Sequence, residues 1–356
     1  ADTFAQGLLA LERNWKGPLL TNQGVATTLE QFQAMEKGAS PQDLLNWRFQ
    51  QALYRAYYDA YNRRRLLYET DLEKQAMEEL RSARQLGALR AMERAEGVLE
   101  KALTDRVAAP VRQRVFELAE AQFQSIRAQL DVDRYKAIRV GRGANLALID
   151  RPLNNRIWLR QRFAEIRTEG DEKKRLAGIQ AIVDWTNPGP GGFYDDLGRV
   201  AAQPHLVPGK SYDEDPQYFE SPQVAFGGGV CPTSHRLSWC RLVDGAYGHE
   251  VKLHYSHLDP EGAYRVRLVY AGRLAVQDYE MADRSLQGTP VMVRLTADDL
   301  EVHPLIPKPN PIQPVEFDVP VEATRDGELT LGCTSTVAGD SPRRGCQIAE
   351  VWLMRR

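Results

Sequence analysis

The sequence predicts a multidomain α and β protein: an N-terminal all-α helical bundle over residues 1–184, then a C-terminal antiparallel β-sandwich over 221–356. Three observations predict it. Residues 1–183 hold 30 Lys and Arg against 24 Asp and Glu, net +6, whereas 184–356 hold 16 against 24, net −8. All four cysteines and all six histidines fall in the second part. Hydrophobic spacing also changes from steps of three and four residues to alternation, with a cluster of Gly and Pro between the two regimes. That cluster opens the stretch 185–220, read as a Gly/Pro-rich linker and loop packing on the sandwich.

Each helix has its own signal. Thr27-Thr28-Leu29-Glu30 supplies a capping pattern for a short helix that stops at Gly38. Ser40-Pro41 opens a long one, because Ser accepts from an orphan amide and Pro at the first helical position loses no hydrogen bond. Leu44, Trp47, Leu53 with Tyr54, Tyr57 with Tyr58, Tyr61 and Tyr68 then mark one aromatic-rich stripe, and the helix is expected to run to about Leu86. Further helices are expected over about 88–106, 109–130, 143–168 and 171–184, all rich in Ala, Leu, Arg, Glu and Gln. Arg63-Arg64-Arg65 reads as a solvated helix face that an acidic polysaccharide would also meet.

From Trp185 to Gly198 the Pro and Gly content predicts no regular structure. Strands are expected at 236–242, 250–255, 264–270, 291–295, 315–319, 328–332 and 347–354, separated by turns such as Asp259-Pro260-Glu261-Gly262. Seven short strands at this spacing imply a sandwich.

The near-balance of 46 basic and 48 acidic residues excludes a nucleic-acid-coating protein, and no apolar run of membrane-spanning length occurs. Ala1-Asp2-Thr3-Phe4 lacks the regions of a signal peptide, as a mature or truncated chain also does. His249 and His254 are five residues apart in an alternating segment, so they do not form the i, i+4 pair of a zinc helix. No Gly-x-Ser-x-Gly elbow is present. Cys231, Cys240, Cys333 and Cys346 allow three pairings; the two local ones would staple loops of the sandwich, in an oxidising compartment.

Trp185, Phe193, Tyr194, Tyr212, Tyr218, Trp239 and Tyr247 occur in or beside loops, where flat rings would stack on the C–H face of a pyranose. Of these, Trp185, Tyr194, Trp239 and Tyr247, with His303 as a companion, are the expected carbohydrate-binding residues. The acidic Asp195-Asp196 and Asp213-Glu214-Asp215 are hard oxygen donors in loops and would suit calcium.

Leu258-Asp259-Pro260 followed by Tyr264-Arg265-Val266-Arg267-Leu268-Val269-Tyr270-Ala271-Gly272 resembles the strand entry of malectin-like and galactose-binding-like jelly-roll sandwiches. Phe317-Asp318-Val319-Pro320, Asp326 to Leu331 and Ile348 to Leu353 resemble their closing strands. The resemblance covers about 185–356. It implies a structural calcium held by Asp195, Asp196 and Glu350. The helical part joined to such a module resembles C-terminal regions of large secreted bacterial carbohydrate-active proteins, which implies secretion or a periplasmic location and a catalytic domain ahead of Ala1. The function expected is binding of a poly- or oligosaccharide by the sandwich, in an accessory region of a polysaccharide-degrading protein. The alternative is a self-sufficient glycoside hydrolase or polysaccharide lyase with an interdomain active site, and a third reading is a structural spacer.

Overall fold

The structure, a computed structural model, describes residues 24–128, 146, 149–199, 203–211, 213–217, 219–226, 234–245, 248–275, 287–337 and 345–356. The chain forms two compact units, Ala1–Asp184 and Trp185–Arg356.

Among the described residues the first unit carries eight helices: α1 (Gly24–Gly38), α2 (Pro41–Leu44), α3 (Trp47–Arg81), α4 (Ala83–Leu86), α5 (Ala88–Thr104), α6 (Ala109–Ile126), α7 (Arg156–Thr168) and α8 (Glu172–Val183). Ser40 caps as expected, in a reciprocal box with Asp43. The single helix expected from there to Leu86 is instead interrupted. The Asn46 side chain accepts the Arg48 amide at 3.0 Å and starts a new helix, and the chain breaks again at Ser82 and at Gly87, whose φ of 84° belongs to the left-handed region. The aromatic stripe survives the correction in part. Leu53, Tyr54, Tyr57, Tyr58 and Tyr61 are buried against Leu29, Val111, Val115 and Leu118, each fully buried ring or branched side chain contributing about 1.5–3 kcal/mol. Trp47, at its start, is exposed. The helix expected over 143–168 is helical only from Arg156 among its described residues. Ahead of it, the turn at 149–155 is held to α3 by buried carboxylates: Glu69 accepts the Leu153 amide at 2.7 Å, and Glu73 accepts the Asn155 amide at 2.7 Å.

The second unit has ten strands among the described residues: β1 (Phe193–Asp196), β2 (Pro222–Phe226), β3 (Arg241–Gly245), β4 (Val251–Tyr255), β5 (Tyr264–Tyr270), β6 (Val291–Ala297), β7 (Leu300–Pro307), β8 (Val315–Asp318), β9 (Leu329–Val337) and β10 (Gln347–Arg355). One sheet runs β2-β3-β10-β5-β8, with β1 also paired to β10; the other runs β4-β9-β6-β7; every pairing is antiparallel. Val251, Leu253, Val293, Leu295 and Leu331 of the second sheet pack with Val266, Leu268, Ile348, Val351 and Leu353 of the first, which makes the unit a two-layer sandwich.

The Gly/Pro stretch is not devoid of regular structure, as β1 demonstrates. Gly189 and Gly191 turn the chain with φ of 85° and 69°, and a Cβ on Gly192 would come 2.7 Å from the Leu353 carbonyl oxygen. The glycines therefore let the backbone close onto β10 and pair, rather than keep it from pairing. Residues expected as a strand from 236 begin as a 3-10 turn, Leu237–Cys240, before β3.

Cys333 on β9 is bonded to Cys346 just ahead of β10, so the staple joins one sheet to the other. Cys240 is disulfide-bonded as well, and Cys231 lies outside the described residues. No helix among the described residues is long and apolar enough to cross a membrane.

Replacing Cys333 and Cys346 together by Ser removes a link with a sequence separation of 13. We expect the unfolding free energy of the sandwich to fall by about 3 kcal/mol, read as a lower urea midpoint.

Candidate functional site

The site is set by one irregularity in β10. The β10–β5 register shifts between Ile348 and Glu350. Ile348 and Val351 both face the core between the sheets, so Ala349 and Glu350 share the opposite, outer face. An unbulged strand would alternate and send one of them inward. Trp352, Met354, Val269, Ala271, Leu242 and Trp239 complete a second apolar cluster on that outer face, with Trp185 and Tyr194 packed against it.

Glu350 is fully buried in the middle of this cluster. Its Oε1 accepts the Tyr194 hydroxyl at 2.7 Å and the Arg236 Nε–H at 3.0 Å. Its Oε2 accepts the indole N–H of Trp239 at 2.8 Å and that of Trp185 at 3.2 Å. A carboxylate has about four lone-pair positions, and all four are used. Burial is the largest influence on this group and pushes its pKa up. The Arg236 guanidinium and the hydrogen bonds from Tyr194 and Trp239 together outweigh it and hold Glu350 below the ordinary glutamate value, hence ionised.

The rings are fixed in turn. Trp352 donates its indole N–H to the Trp185 carbonyl at 2.8 Å and meets the Trp185 ring edge to face at 5.8 Å. Arg236 lies 5.3 Å above the Trp185 ring, and Trp239 stands 6.2 Å from it.

Asp196 is the direct partner of Glu350 across β1 and β10, as Tyr194 is of Trp352. Opposed side chains in such a pair share a face with Cβ atoms about 4.5–5.5 Å apart. Burial, with the Glu350 charge second, pushes the Asp196 pKa up to about 7, against the pull of Arg236 and Arg199. Its Oδ1 is buried without a hydrogen-bond partner.

The expected site residues therefore divide. Trp185, Tyr194, Trp239 and Glu350 are brought together, and they form a buried charge cage more than an open platform of rings. Trp239 is 6 % exposed, while Trp185 and Tyr194 keep partial exposure. His303 is a satisfied core histidine, 3 % exposed: its Nδ1 lies 2.7 Å from the Pro304 carbonyl, so Nε2 accepts the Tyr270 hydroxyl at 2.6 Å, and burial favours the neutral ring. Tyr212, Tyr218 and Tyr247 lie outside the described residues.

The calcium trio does not converge. Asp195 and Asp196 are neighbours on a strand and point to opposite faces. Asp195 turns into the core, where it accepts the Tyr255 hydroxyl at 2.9 Å and lies 2.8 Å from His205 Nδ1. Among the described residues no group of three His, Cys, Asp or Glu is placed to hold a metal ion. Asp215, in the other acidic run, accepts the Phe219 and Glu220 amides at 2.8 and 2.9 Å, which is turn chemistry.

Arg236, central to the cage, drew no attention in the sequence. Its one cue is local: it immediately precedes the 3-10 turn that carries Trp239.

Two outcomes follow from this electrostatic arrangement. Glu350→Gln leaves Arg236 beside an uncharged amide and should lower stability by about 3–5 kcal/mol, measured by urea unfolding. Asp196 has a folded pKa above its unfolded value near 3.9, so the folded state holds the proton more tightly. Its contribution is complete below about pH 4 and is lost as pH rises through about 7, at about 1.4 kcal/mol per unit between those limits. The Asp196→Asn chain should lack that slope, so its stability relative to the unmodified chain should increase from pH 5 to pH 7.5.

No family model matches the chain, and no curated protein matches it. Among solved structures, it is similar to that of a family GH115 4-O-methyl-α-glucuronidase, BtGH115A, described as specific for decorated arabinogalactans. The TM-score is 0.30 at 9 % sequence identity, over 94 % of this chain and 34 % of that one. The chain thus spans about a third of the length of that structure, and a likeness at this level assigns neither fold nor activity.

Proposed function

We propose that the chain is a carbohydrate-binding accessory region of a secreted or periplasmic bacterial protein that degrades polysaccharide, and that the sandwich meets the saccharide at the edge of the Glu350 cage. The supporting observation is the partly exposed Trp185 indole. It is held through its N–H by Glu350 and through its carbonyl by Trp352, with Arg236 against its ring. A ring immobilised in advance loses little freedom on binding, and its flat body suits the C–H face of a pyranose. Tyr194, Arg236 and Asp196 stand beside it as polar groups for hydroxyls. Disulfides at Cys333–Cys346 and at Cys240 support an oxidising compartment.

One observation favours the alternative, a glycoside hydrolase active by itself: Asp196 and Glu350 are opposed carboxyl groups whose pKa values are pushed apart, the pattern of an acid and its anionic partner. Against it, Glu350 is sealed and spends every lone pair on protein donors, so it organises the surface rather than reaching a substrate.

Affinity electrophoresis of the intact chain in gels carrying plant and bacterial polysaccharides tests the proposal. We expect retardation by at least one polysaccharide, weakened at least tenfold in Trp185→Ala with near-ultraviolet circular dichroism retained. No retardation in any gel, or equal retardation of the folded variant, rejects the surface; release of reducing sugar by the isolated chain would favour the hydrolase.

A further inference from the structure

The helical unit holds a cavity of about 520 Å³ that the reading of the sandwich does not use. It opens between the middle of α3, the end of α5, the start of α6 and the turn leading into α7. Its volume lies within the ordinary range of small-molecule sites.

The arginines of its lining are of two kinds. Arg65 and Arg112 are committed to the fold. Arg65, only 8 % exposed, bonds Glu69 at 2.6 Å and the Arg151 carbonyl at 2.7 Å. Arg112 places its Nε 3.0 and 3.2 Å from the two oxygens of Asp150, and Tyr61 donates its hydroxyl to the same carboxylate at 2.8 Å. The expectation that Arg65 lies on a solvated face is thereby corrected: it is a buried strut.

Arg106 and Arg156 are different. Both line the cavity, and among the described residues neither guanidinium has a hydrogen-bond or ion-pair partner. Arg156 is only partly exposed, and burial works against its charge more than the nearby Glu69 carboxylate favours it. A half-desolvated cation that makes no direct ion pair gains more from an anion than an exposed one does, because the dielectric around it is lower.

The remaining wall chooses among anions. Tyr68 and Phe116 supply ring surface, and Tyr61, otherwise buried in the core, closes the wall behind them. Four arginines line the space against the three carboxylates Glu69, Asp105 and Asp150, so one negative charge balances the wall and a polyphosphate overshoots it. A single carboxylate on a ring body avoids that penalty. It can take a guanidinium fork, stack on the aromatic wall, and donate hydroxyls to Asp105 or Asp150.

We propose that this cavity binds a hydroxylated, ring-bearing monocarboxylate, with Arg106 and Arg156 taking the carboxylate and the Tyr68 and Phe116 wall taking the ring. Two sources share this chemistry: a sugar acid and a phenolic acid. The site is independent of Trp185 and of the saccharide surface on the sandwich.

Isothermal titration of the full chain with glucuronate, 4-hydroxybenzoate, glucose and inorganic phosphate decides. We expect one of the two carboxylates to bind at least tenfold more tightly than glucose and than phosphate, the better of the two identifying the source. Arg106→Gln and Arg156→Gln should each weaken that carboxylate at least tenfold at unchanged thermal midpoint, while Trp185→Ala should leave it unchanged. Should Arg156→Gln fail to fold, the exposed Arg106 carries the comparison. No carboxylate binding at millimolar concentration, phosphate or glucose bound as well as the carboxylates, or full affinity in folded Arg106→Gln overturns the assignment.

Discussion

Everything on the outer face of the first sheet depends on keeping one carboxylate ionised away from water. Glu350 sits in the middle of a sheet, where an unpaired charge would be prohibitive, and it is tolerated because donors from two separate stretches of chain converge on it. Trp185 and Tyr194 come from the stretch that enters the sandwich, Arg236 and Trp239 from the approach to β3. Each stretch has weak reasons of its own to lie where it does; the segment around Trp185 carries little regular structure. The charge makes their positions interdependent, since withdrawing any one donor leaves an unsatisfied acceptor in an apolar surround. The outer cluster is therefore a polar lock with an aromatic shell, and the rings are oriented by their N–H and O–H groups more than by stacking.

Much of the helical unit was legible because its signals are local. The Ser40 cap, the Tyr54–Tyr61 stripe and the terminations near Gly38 and Gly87 depend on residues within a turn or two of each other. What escaped was long-range. Glu69 and Glu73 carry no local mark in the sequence, yet they accept backbone amides more than 80 residues away at Leu153 and Asn155. Nothing within one helix reports that a loop will later require its carboxylates.

The sandwich was legible in its kind and not in its particulars. Alternation revealed β4, β5 and β6 because each has one face in the core. It missed β1, since four residues flanked by Pro and Gly carry no period, and it missed how the bulge in β10 turns Glu350 outward. Trp185, Tyr194 and Trp239, singled out near loops, do gather at one place, while Phe193 packs into the core between the sheets. Loop location was nevertheless a poor guide to exposure: Trp239 lies in a turn that packs against the sheet, and His303 is a strand residue sealed against Tyr270. Aromatic rings beside loops signal where a second small core closes as readily as where a ligand binds.

The fate of the three acidic residues shows how finely placement decides chemistry. Asp195 and Asp196 are the same residue type on the same strand, yet strand geometry gives them different solvents. Asp195 meets a phenol and an imidazole between the sheets; Asp196 meets a neighbour that already holds the charge. Glu350 has the guanidinium and three further donors, so it keeps the anion, and Asp196, opposite it with an unpartnered oxygen, is pushed toward the neutral acid. Two carboxyl groups this close do not both ionise in a buried setting, and the donors determine which of them does. The polarity of the surface beside Trp185 is thus a consequence of hydrogen bonds made beneath it. Near neutral pH the face holds, opposite Glu350, a carboxyl group able to donate as well as accept, a property that follows from the pairing of β1 with β10 and from no residue taken alone.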